Sequence, residues 1–301
     1  MTKVLITGGT GMIGTPLTNY LLDAGYDVVH LSRTPAKSDK VPTFQWNIEQ
    51  GIIDPKSVEG IDAIVHLAGA GIVDKPWTGE RKQEIIDSRV KSAELLLTTC
   101  KKEGVRLKAF ISASAIGWYP LTISDEVYGE EQPAAEGFLG EVCQAWEGVA
   151  DHFKDITDRV VKLRIGLVLA RDQGALKKIA LPVRLYTGAG IGSGEQAMSW
   201  IHIQDACRMF QHSIDNDLNG VYNAVGPDTI TNEEFMQILA DVMEKPILLP
   251  NIPEFVIRMI YGRKADIILK GVKLSSNKIL ATGFEFDYPT LNSALMHIYN
   301  D

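Results

Sequence analysis

The sequence predicts an α/β protein with a doubly wound parallel sheet and a smaller, mostly helical C-terminal lobe. Continuous apolar runs such as KVLIT (3–7) are typical of parallel strands that are covered on both faces. Segments with helical spacing alternate with these runs through short connections as far as about residue 170. Beyond that point the strands become sparse, which indicates a second lobe.

The alternating elements follow one another in a regular order. Strands are predicted at KVLIT (3–7), YDVVHLSR (26–33), IDAIVHLAGA (61–70), LKAFISASA (107–115) and DRVVKLRIGLVL (158–169). Helices are predicted at IGTPLTNYLLDAG (13–25), RKQEIIDSRVKSAELLLTTCKKEG (81–104) and GFLGEVCQAWEGVADHF (137–153). We therefore predict a sheet domain at 1–170, with a returning segment near 203–225, and a C-terminal substrate lobe at 171–301.

The composition limits the classes of partner and of site. The chain has 301 residues, is 45% hydrophobic and carries a formal net charge of −8, which suits a soluble globular protein and argues against a nucleic-acid surface. Its three cysteines are widely separated and do not cluster with the six histidines, so we expect no structural metal and a cytoplasmic protein. No apolar run approaches the roughly 18 residues of a membrane helix, so we expect no membrane partner.

Four glycines crowd the connection between the first strand and the first helix, in TGGTGMIG (7–14). Gly8 suits a tight turn, Gly11 lets the backbone approach a pyrophosphate, and Gly14 lets the helix pack closely on the strand. The start of the helix offers free N–H groups and a partial positive charge to phosphate. The array predicts a Rossmann-type dinucleotide site with contacts from Gly8, Thr10, Gly11, Met12, Ile13 and Gly14.

The end of the second strand favours NADP over NAD. A cofactor with a free ribose 2′-hydroxyl usually meets an Asp or Glu at this position. This chain has Ser32, Arg33 and Thr34 there, and its next carboxylate is Asp39. A guanidinium pairs bidentately with a 2′-phosphate, and no acid repels that phosphate. In the following strand, the small residues of HLAGA suit passage against the adenine side of the cofactor, which adds Leu67, Ala68, Gly69 and Ala70.

With these segments in order, the chain resembles the short-chain dehydrogenase/reductase superfamily, in its extended, nucleotide-sugar epimerase-like branch. TGGTGMIG, HLAGA, FISASA and SWIHIQDA carry the resemblance. PWTGERKQEIIDSRVKSAELL, GFLGEVCQAWE and ATGFEFDYPTLNSAL point more narrowly to its atypical family with a C-terminal domain of its own. The resemblance covers nearly the whole chain.

The resemblance implies a catalytic Tyr and, four residues later, a Lys on the helix after the SAS strand. These positions hold Leu139 and Cys143, so the standard proton relay is missing. The narrower family often has Cys at the Lys position, and it has Arg, here Arg89, where Asn is usual. By the same resemblance Glu84, Arg89 and Arg164 are candidate cofactor contacts, and for each a purely structural role stays open.

Other polar side chains remain as candidates near the substrate. Ser114 falls at the position of the catalytic Ser of the superfamily, and Tyr119 on the next loop is a candidate surrogate acid. Trp200 and His202, in SWIHIQDA, are candidate substrate contacts. For each of the four, packing or a strand-end position is the alternative interpretation.

Two functions of different class fit the sequence. The first is an NADP-dependent, epimerase-like oxidoreductase that acts on a nucleotide sugar or a small carbonyl compound. The second is a sensor or regulatory protein that binds NADP(H) and has lost the chemistry. Either a monomer or a homodimer is compatible with the long helices.

Overall fold

The computed structural model describes residues 1–34 and 41–300. Its strands are β1 (Lys3–Thr7), β2 (Asp27–Ser32), β3 (Thr43–Asn47), β4 (Ile52–Ile53), β5 (Ala63–His66), β6 (Ala109–Ala115), β7 (Val127–Tyr128), β8 (Val160–Ile165), β9 (Leu167–Leu169), β10 (Ala197–Met198), β11 (Trp200–His202), β12 (Gly220–Ala224), β13 (Ile230–Thr231) and β14 (Lys273–Leu274). Its helices are α1 (Gly14–Asp23), α2 (Gly79–Lys102), α3 (Phe138–Asp151), α4 (Gly174–Arg184), α5 (Ile203–Asp215), α6 (Asn232–Val242), α7 (Glu254–Tyr261), α8 (Asp266–Leu269), α9 (Asn277–Leu280) and α10 (Leu291–Asn300).

The chain divides into two compact units, each made of several segments. The first unit comprises residues 1–115, 136–163 and 207–222, and the second comprises 116–135, 164–206 and 223–301. The segment 207–222 lies within the predicted returning segment near 203–225. Residues 116–135 belong to the second unit, whereas the predicted division at residue 170 grouped them with the first.

An eight-stranded sheet with the order β12-β8-β6-β5-β1-β2-β3-β4 organises the first unit. The pairs β1–β2, β1–β5, β2–β3 and β5–β6 are parallel, and the short β4 runs antiparallel to β3. The predicted α/β fold class is confirmed. After β4 the chain returns to β5 on the other side of β1, so the strand order reverses at β1. In doubly wound sheets ligands bind at the carboxyl ends of the strands beside such a reversal.

The core of the first unit explains why its helices lie on the sheet. β1 and β5 are buried along nearly their whole length, as their apolar runs predict. α2 and α3 turn apolar residues towards the sheet, where Leu96, Phe110 and Phe153 are 0% exposed. The Phe110 and Phe153 rings stack with their planes 9° apart. This packing fixes the amino-terminal turns of α2 and α3 at the carboxyl edge of the sheet.

The second unit has its own core, in which helices predominate. Its main buried cluster joins α4, α6 and α10 around residues such as Leu176, Phe235 and Leu295. α6 begins at a capping box, in which Thr231 and Glu234 bond each other's backbone N–H groups. The short strand pairs β9–β11, β10–β13 and β7–β14 complete this unit.

Candidate functional site

The glycine-rich connection between β1 and α1 forms a cradle that side chains would fill. Gly8 has a φ of +71°, a conformation that favours glycine. A Cβ on Gly14 would lie 2.2 Å from the Gly8 carbonyl oxygen, and a Cβ on Gly9 would lie 2.4 Å from Nε2 of His30. The close approach of α1 to the loop after β1 therefore requires glycine at position 14, and the His30 side chain leaves no room for a side chain at position 9.

The amino terminus of α1 is open to an anion. Ile13 is its N-cap residue and gives no side-chain capping bond, and the first turn contains no acidic residue. Within residues 1–34 and 41–300, the backbone N–H groups of Thr10, Met12 and Ile13 have no backbone acceptor. These groups and the positive end of the helix are the donors that a pyrophosphate needs. The cradle and its donors thus fit a dinucleotide.

A cavity of about 210 Å³ lies between this loop and the end of β2. Its lining is rich in hydroxyl groups: Gly9, Thr10, Thr15, Thr18, Asn19, His30, Leu31, Ser32, Thr34, Val41 and Thr43. Arg33 is exposed beside it, and Ser32 and Thr34 bond each other through the Ser32 hydroxyl. Asp39, the first carboxylate after β2, lies outside the described residues.

A buried histidine on β2, His30, supports the glycine loop, and no local sequence pattern indicates this role. Nε2 of His30 lies 2.8 Å from the Thr18 hydroxyl, whose proton goes to the Gly14 carbonyl. The hydroxyl oxygen is therefore the acceptor, and Nε2 carries the hydrogen. Burial lowers the pKa of His30, which favours the neutral ring. Thr18 on α1 orients the ring of His30 on β2, and this ring lies directly against Gly9.

The loop after β5 is fixed by hydrogen bonds to β1 and α2. The Thr7 hydroxyl accepts from the N–H groups of Leu67 and Ala68, each at 3.2 Å. The Ala70 N–H donates to the Ser88 hydroxyl at 2.9 Å. These bonds hold the predicted adenine-side segment 67–70 at the carboxyl edge of the sheet, next to the glycine cradle.

Arg89 is held flat between this loop and α3. Its Nη1 donates to the carbonyls of Ala70 (3.0 Å) and Ile85 (2.9 Å), and its Cζ lies 4.6 Å from the Trp146 ring centroid. A Cβ on Gly69 would lie 2.9 Å from that Cζ. Burial lowers the pKa of Arg89 to about 10. Among the described residues its buried Nε has no acceptor.

Glu84 lies on an exposed part of α2. Its Oε2 lies 2.7 Å from Nη1 of Arg81, and this contact is the main reason why the pKa of Glu84 is lowered. Arg81 also bonds the Asp74 carboxylate at 2.7 Å. The ion pair with Arg81 is what a purely structural role of Glu84 predicts, which is the alternative that the sequence analysis left open.

The two positions that the sequence analysis compared with the standard Tyr–Lys relay are Leu139 and Cys143, and both lie on α3. Leu139 is half-buried on the first turn of α3, and Cys143 is 1% exposed. The Cys143 thiol lies 3.6 Å from the Ala115 carbonyl oxygen, to which it donates. Neither side chain presents an acid to the carboxyl edge of the sheet.

Ser114 is buried and engaged with a partner that the sequence analysis did not single out. Its hydroxyl donates to Oε1 of Glu147 at 2.7 Å. Ser114 is 2% exposed and Glu147 is 5% exposed. The hydroxyl that was predicted to bond a substrate oxygen therefore directs its proton towards α3.

Tyr119, the candidate surrogate acid, lies inside the second unit. The side chain is 1% exposed; its hydroxyl donates to Asn223 Oδ1 at 2.6 Å and accepts from Arg164 at 2.9 Å. Burial raises the pKa of Tyr119 to about 12. Arg164, a predicted cofactor contact, is 2% exposed and lies over the Trp118 ring at 3.8 Å. The contacts of Tyr119 and of Arg164 are therefore those of packed interior residues. Tyr119 can be buried because its hydroxyl finds hydrogen-bond partners inside the fold.

The two predicted substrate contacts also lie in the core of the second unit. Trp200 is 0% exposed and belongs to the main apolar cluster. His202 is 1% exposed, its ring centroid lies 4.0 Å from that of Tyr288 with the planes inclined by 41°, and its Nε2 lies 3.2 Å from a ring nitrogen of His297. Burial lowers the pKa of His202 to about 3. The contacts of both side chains correspond to the packing that was the alternative interpretation for them.

Comparison with known proteins agrees with this geometry. Residues 4–139 match the model of the NAD dependent epimerase/dehydratase family, and residues 252–298 match a domain of unknown function, DUF1731. An epimerase family protein of Mycobacterium leprae is 35% identical over 98% of this chain and 94% of its own length. Within the described ranges, none of the helices has the length and apolar character needed to cross a membrane.

Solved structures give the same result. The human epimerase family protein SDR39U1 is 34% identical over 98% of this chain and 99% of its own. Its crystal structure with NADPH superposes with a TM-score of 0.90 and covers 100% of both chains at 32% identity. UDP-glucuronic acid 4-epimerase of Bacillus cereus shares the fold, with a TM-score of 0.79 at 18% identity over 99% of this chain and 98% of its own. The chain therefore belongs to the epimerase family, within the atypical branch of the short-chain dehydrogenase/reductase superfamily.

Proposed function

We propose that this protein binds NADP(H) and is an epimerase-like oxidoreductase for a nucleotide sugar or a small carbonyl compound. The observation that carries the proposal is the open amino terminus of α1 behind the glycine cradle. The cradle leaves room for backbone only, and the helix start offers N–H donors without a competing acid. NADPH in the crystal structure of the human relative supports the same cofactor.

The preference for a phosphorylated ribose rests on the end of β2. Ser32, Arg33 and Thr34 offer hydroxyl and guanidinium donors beside a cavity, and the described part of this segment has no carboxylate. A 2′-phosphate would accept from these donors, whereas the free hydroxyl of NAD would lack its usual acidic partner. We assign the 2′-phosphate to Arg33, with Ser32 and Thr34 beside it.

The remaining cofactor contacts follow the carboxyl edge of the first unit. The backbone of Thr10–Gly14 would bond the pyrophosphate, and segment 67–70 would line the adenine side. The guanidinium of Arg89 lies against Gly69 and Ala70 of this segment, so Arg89 is the strongest side-chain candidate there. The ion pair of Glu84 with Arg81 and the buried bonds of Arg164 support positioning roles for those two predicted contacts.

When bound, the cofactor would supply or accept a hydride, and the chain has to supply a proton in the first case and accept one in the second. Leu139 and Cys143 offer no acid, so Ser114 and Tyr119 keep their predicted catalytic roles as proposals. Both hydroxyls are bonded internally, to Glu147 and to Asn223. Each would have to exchange that partner for a substrate oxygen. This burial is also the observation that favours the second candidate function, a protein that senses NADP(H) without turnover.

Calorimetry with the purified protein tests the cofactor. We expect NADPH to bind at least tenfold more tightly than NADH, and equal affinities would overturn the assignment. Oxidation of NADPH, followed at 340 nm with a panel of carbonyl compounds, and chromatographic detection of the epimeric product from a panel of nucleotide sugars then separate the two functions. Turnover that falls in Ser114→Ala and Tyr119→Phe supports the enzyme, whereas tight NADPH binding with no turnover supports the sensor.

A further inference from the structure

Two aromatic rings and one ammonium group meet where α2 and α3 begin. The Trp77 and Phe138 ring centroids are 4.9 Å apart and their planes are inclined by 68°. The Lys82 Nζ lies 4.7 Å from the Phe138 centroid. All three side chains are half-buried, so each keeps a surface open to solvent. They form an apolar corner with a positive charge at its rim.

The corner is held in shape before any ligand arrives. The Trp77 indole N–H donates to the Ile72 carbonyl at 2.8 Å, which fixes the orientation of the ring. Arg81 bonds the Gly71 carbonyl and the Asp74 carboxylate, so the segment before Trp77 is tied to α2. Thr78 caps α2 by accepting from the Arg81 N–H at 3.1 Å. Because these side chains are already fixed, little conformational entropy is lost when a ligand binds, which favours binding.

The charge of Lys82 is not neutralised by a neighbouring acid. Within residues 1–34 and 41–300 its ammonium group contacts no carboxylate, and its recorded side-chain contact is the Phe138 ring. The adjacent Arg81, by contrast, already pairs with both Asp74 and Glu84. A half-buried ammonium on an aromatic face is partly desolvated, which strengthens its attraction to an anion.

The corner lies at the edge of the sheet where the reaction is expected. α2 and α3 follow parallel strands, so their first turns lie at the carboxyl ends of those strands. Phe138 directly precedes Leu139, the position that the superfamily uses for its catalytic Tyr. Lys82 and Arg89 are seven residues apart on α2, which places them on the same face and about 10 Å apart along the axis.

We propose that Trp77, Phe138 and Lys82 form a substrate subsite for an organic anion that carries a flat apolar group, such as an aryl 2-oxo acid. The rings would contact the flat group and the ammonium would bond the anionic oxygen. The proposal rests on the proposed function, since it assigns the substrate class of that same site. It favours a small carbonyl acid over a nucleotide sugar.

Binding of benzoylformate to the full-length protein saturated with NADP⁺ tests this subsite. The oxidised cofactor prevents hydride transfer, so calorimetry measures binding alone. We expect benzoylformate to bind and its uncharged methyl ester to bind at least tenfold more weakly. Lys82→Met should weaken benzoylformate binding about tenfold or more, because a charge-assisted bond is lost. Phe138→Leu should also weaken it.

The matched control is Lys102→Met, which removes an exposed lysine from the other end of the same helix. It should bind benzoylformate like the wild type. All variants should bind NADPH with unchanged affinity, which separates a failure of this subsite from a failure of the cofactor assignment. The proposal is overturned if benzoylformate does not bind to the wild type, or if Lys82→Met binds it with wild-type affinity.

Discussion

Ser114 and Glu147 form a buried hydrogen bond across 2.7 Å, although they lie on a strand and a helix 33 positions apart. A carboxylate that is 5% exposed loses most of its hydration, so each hydrogen bond that it accepts has a large effect on stability. The bond also joins the end of β6 to α3, the two elements on which the superfamily builds its catalytic groups.

Loss of this donor should destabilise the fold. We expect Ser114→Ala to lower the free energy of unfolding by about 1–3 kcal/mol, because a buried carboxylate loses a partner. The double variant with Glu147→Leu should lose less than the sum of the single losses, since the charge is then gone too. Urea unfolding of the four proteins measures the coupling, and strictly additive losses would contradict the proposed role of the bond.

The glycine cradle should tolerate no methyl group. Gly14→Ala places a Cβ 2.2 Å from a carbonyl oxygen of the loop, so we expect a loss of several kcal/mol of stability, or of NADPH binding, as the loop shifts. Gly148→Ala is the matched control on exposed α3 surface, where a Cβ would meet nothing within 4 Å. It should be neutral or stabilise the fold by up to about 1 kcal/mol. Thermal unfolding measures the stability of the two variants, and calorimetry measures their affinity for NADPH. Equal stability and equal affinity in the two variants would contradict the prediction.

Arg33 should discriminate between the two nicotinamide cofactors. Arg33→Ser removes a charge-assisted contact, so we expect NADPH affinity to fall by about 10- to 100-fold while NADH affinity changes little. Arg33→Lys should give an intermediate loss, because an ammonium keeps the charge without the bidentate geometry. If both cofactors weaken together in fluorescence titrations, Arg33 contacts something other than the 2′-phosphate.

Stability should depend on pH through His66. The Thr7 hydroxyl lies 2.8 Å from Nδ1 of this 0% exposed ring, and Ser92 lies 3.1 Å from Nε2. Burial lowers the pKa of His66 from 6.5 to about 4. Between those values the unfolded chain binds the proton and the folded chain does not. The contribution of the neutral ring is therefore complete above pH 6.5 and is lost progressively towards pH 4.

Urea unfolding at pH 7.5, 6 and 5 measures this dependence. Each unit of pKa difference corresponds to about 1.4 kcal/mol. His66→Gln lacks the titrating group, so its stability should fall less steeply with acid than that of the wild type. His30 and His202 also have lowered pKa values, so a residual slope is expected in the variant. Parallel slopes in the two proteins would contradict the assignment.

Local patterns were sufficient to predict the frame of the fold. β1, α1, α2 and α3 lie within two residues of the predicted bounds at both ends, because apolar runs, glycine stops and capping residues act over a few positions. β3 was missed: its sequence TFQWN has one fully buried residue, so it lacks the continuous apolar run of a central strand. The short β4 beside it was also missed.

The side-chain partners of the site depend on contacts that no local pattern encodes. Tyr119 is buried because Arg164 and Asn223 reach its hydroxyl from 45 and 104 positions away. His30 was not singled out because its role depends on Thr18 across the loop. The pair of Trp77 and Phe138 likewise joins two helices. The glycine array could be interpreted from sequence because its constraint lies within seven residues.

The first unit is built from three separate segments of the chain, and this affects the order in which it can fold during synthesis. Its last segment, residues 207–222, contains most of α5 and the start of β12, and β12 forms one edge of the eight-stranded sheet. A ribosome has to translate more than two thirds of the message before that edge can pair. Until then β8 is an unprotected border, so a nascent or truncated chain ending near residue 170 has a strand available for association with other chains.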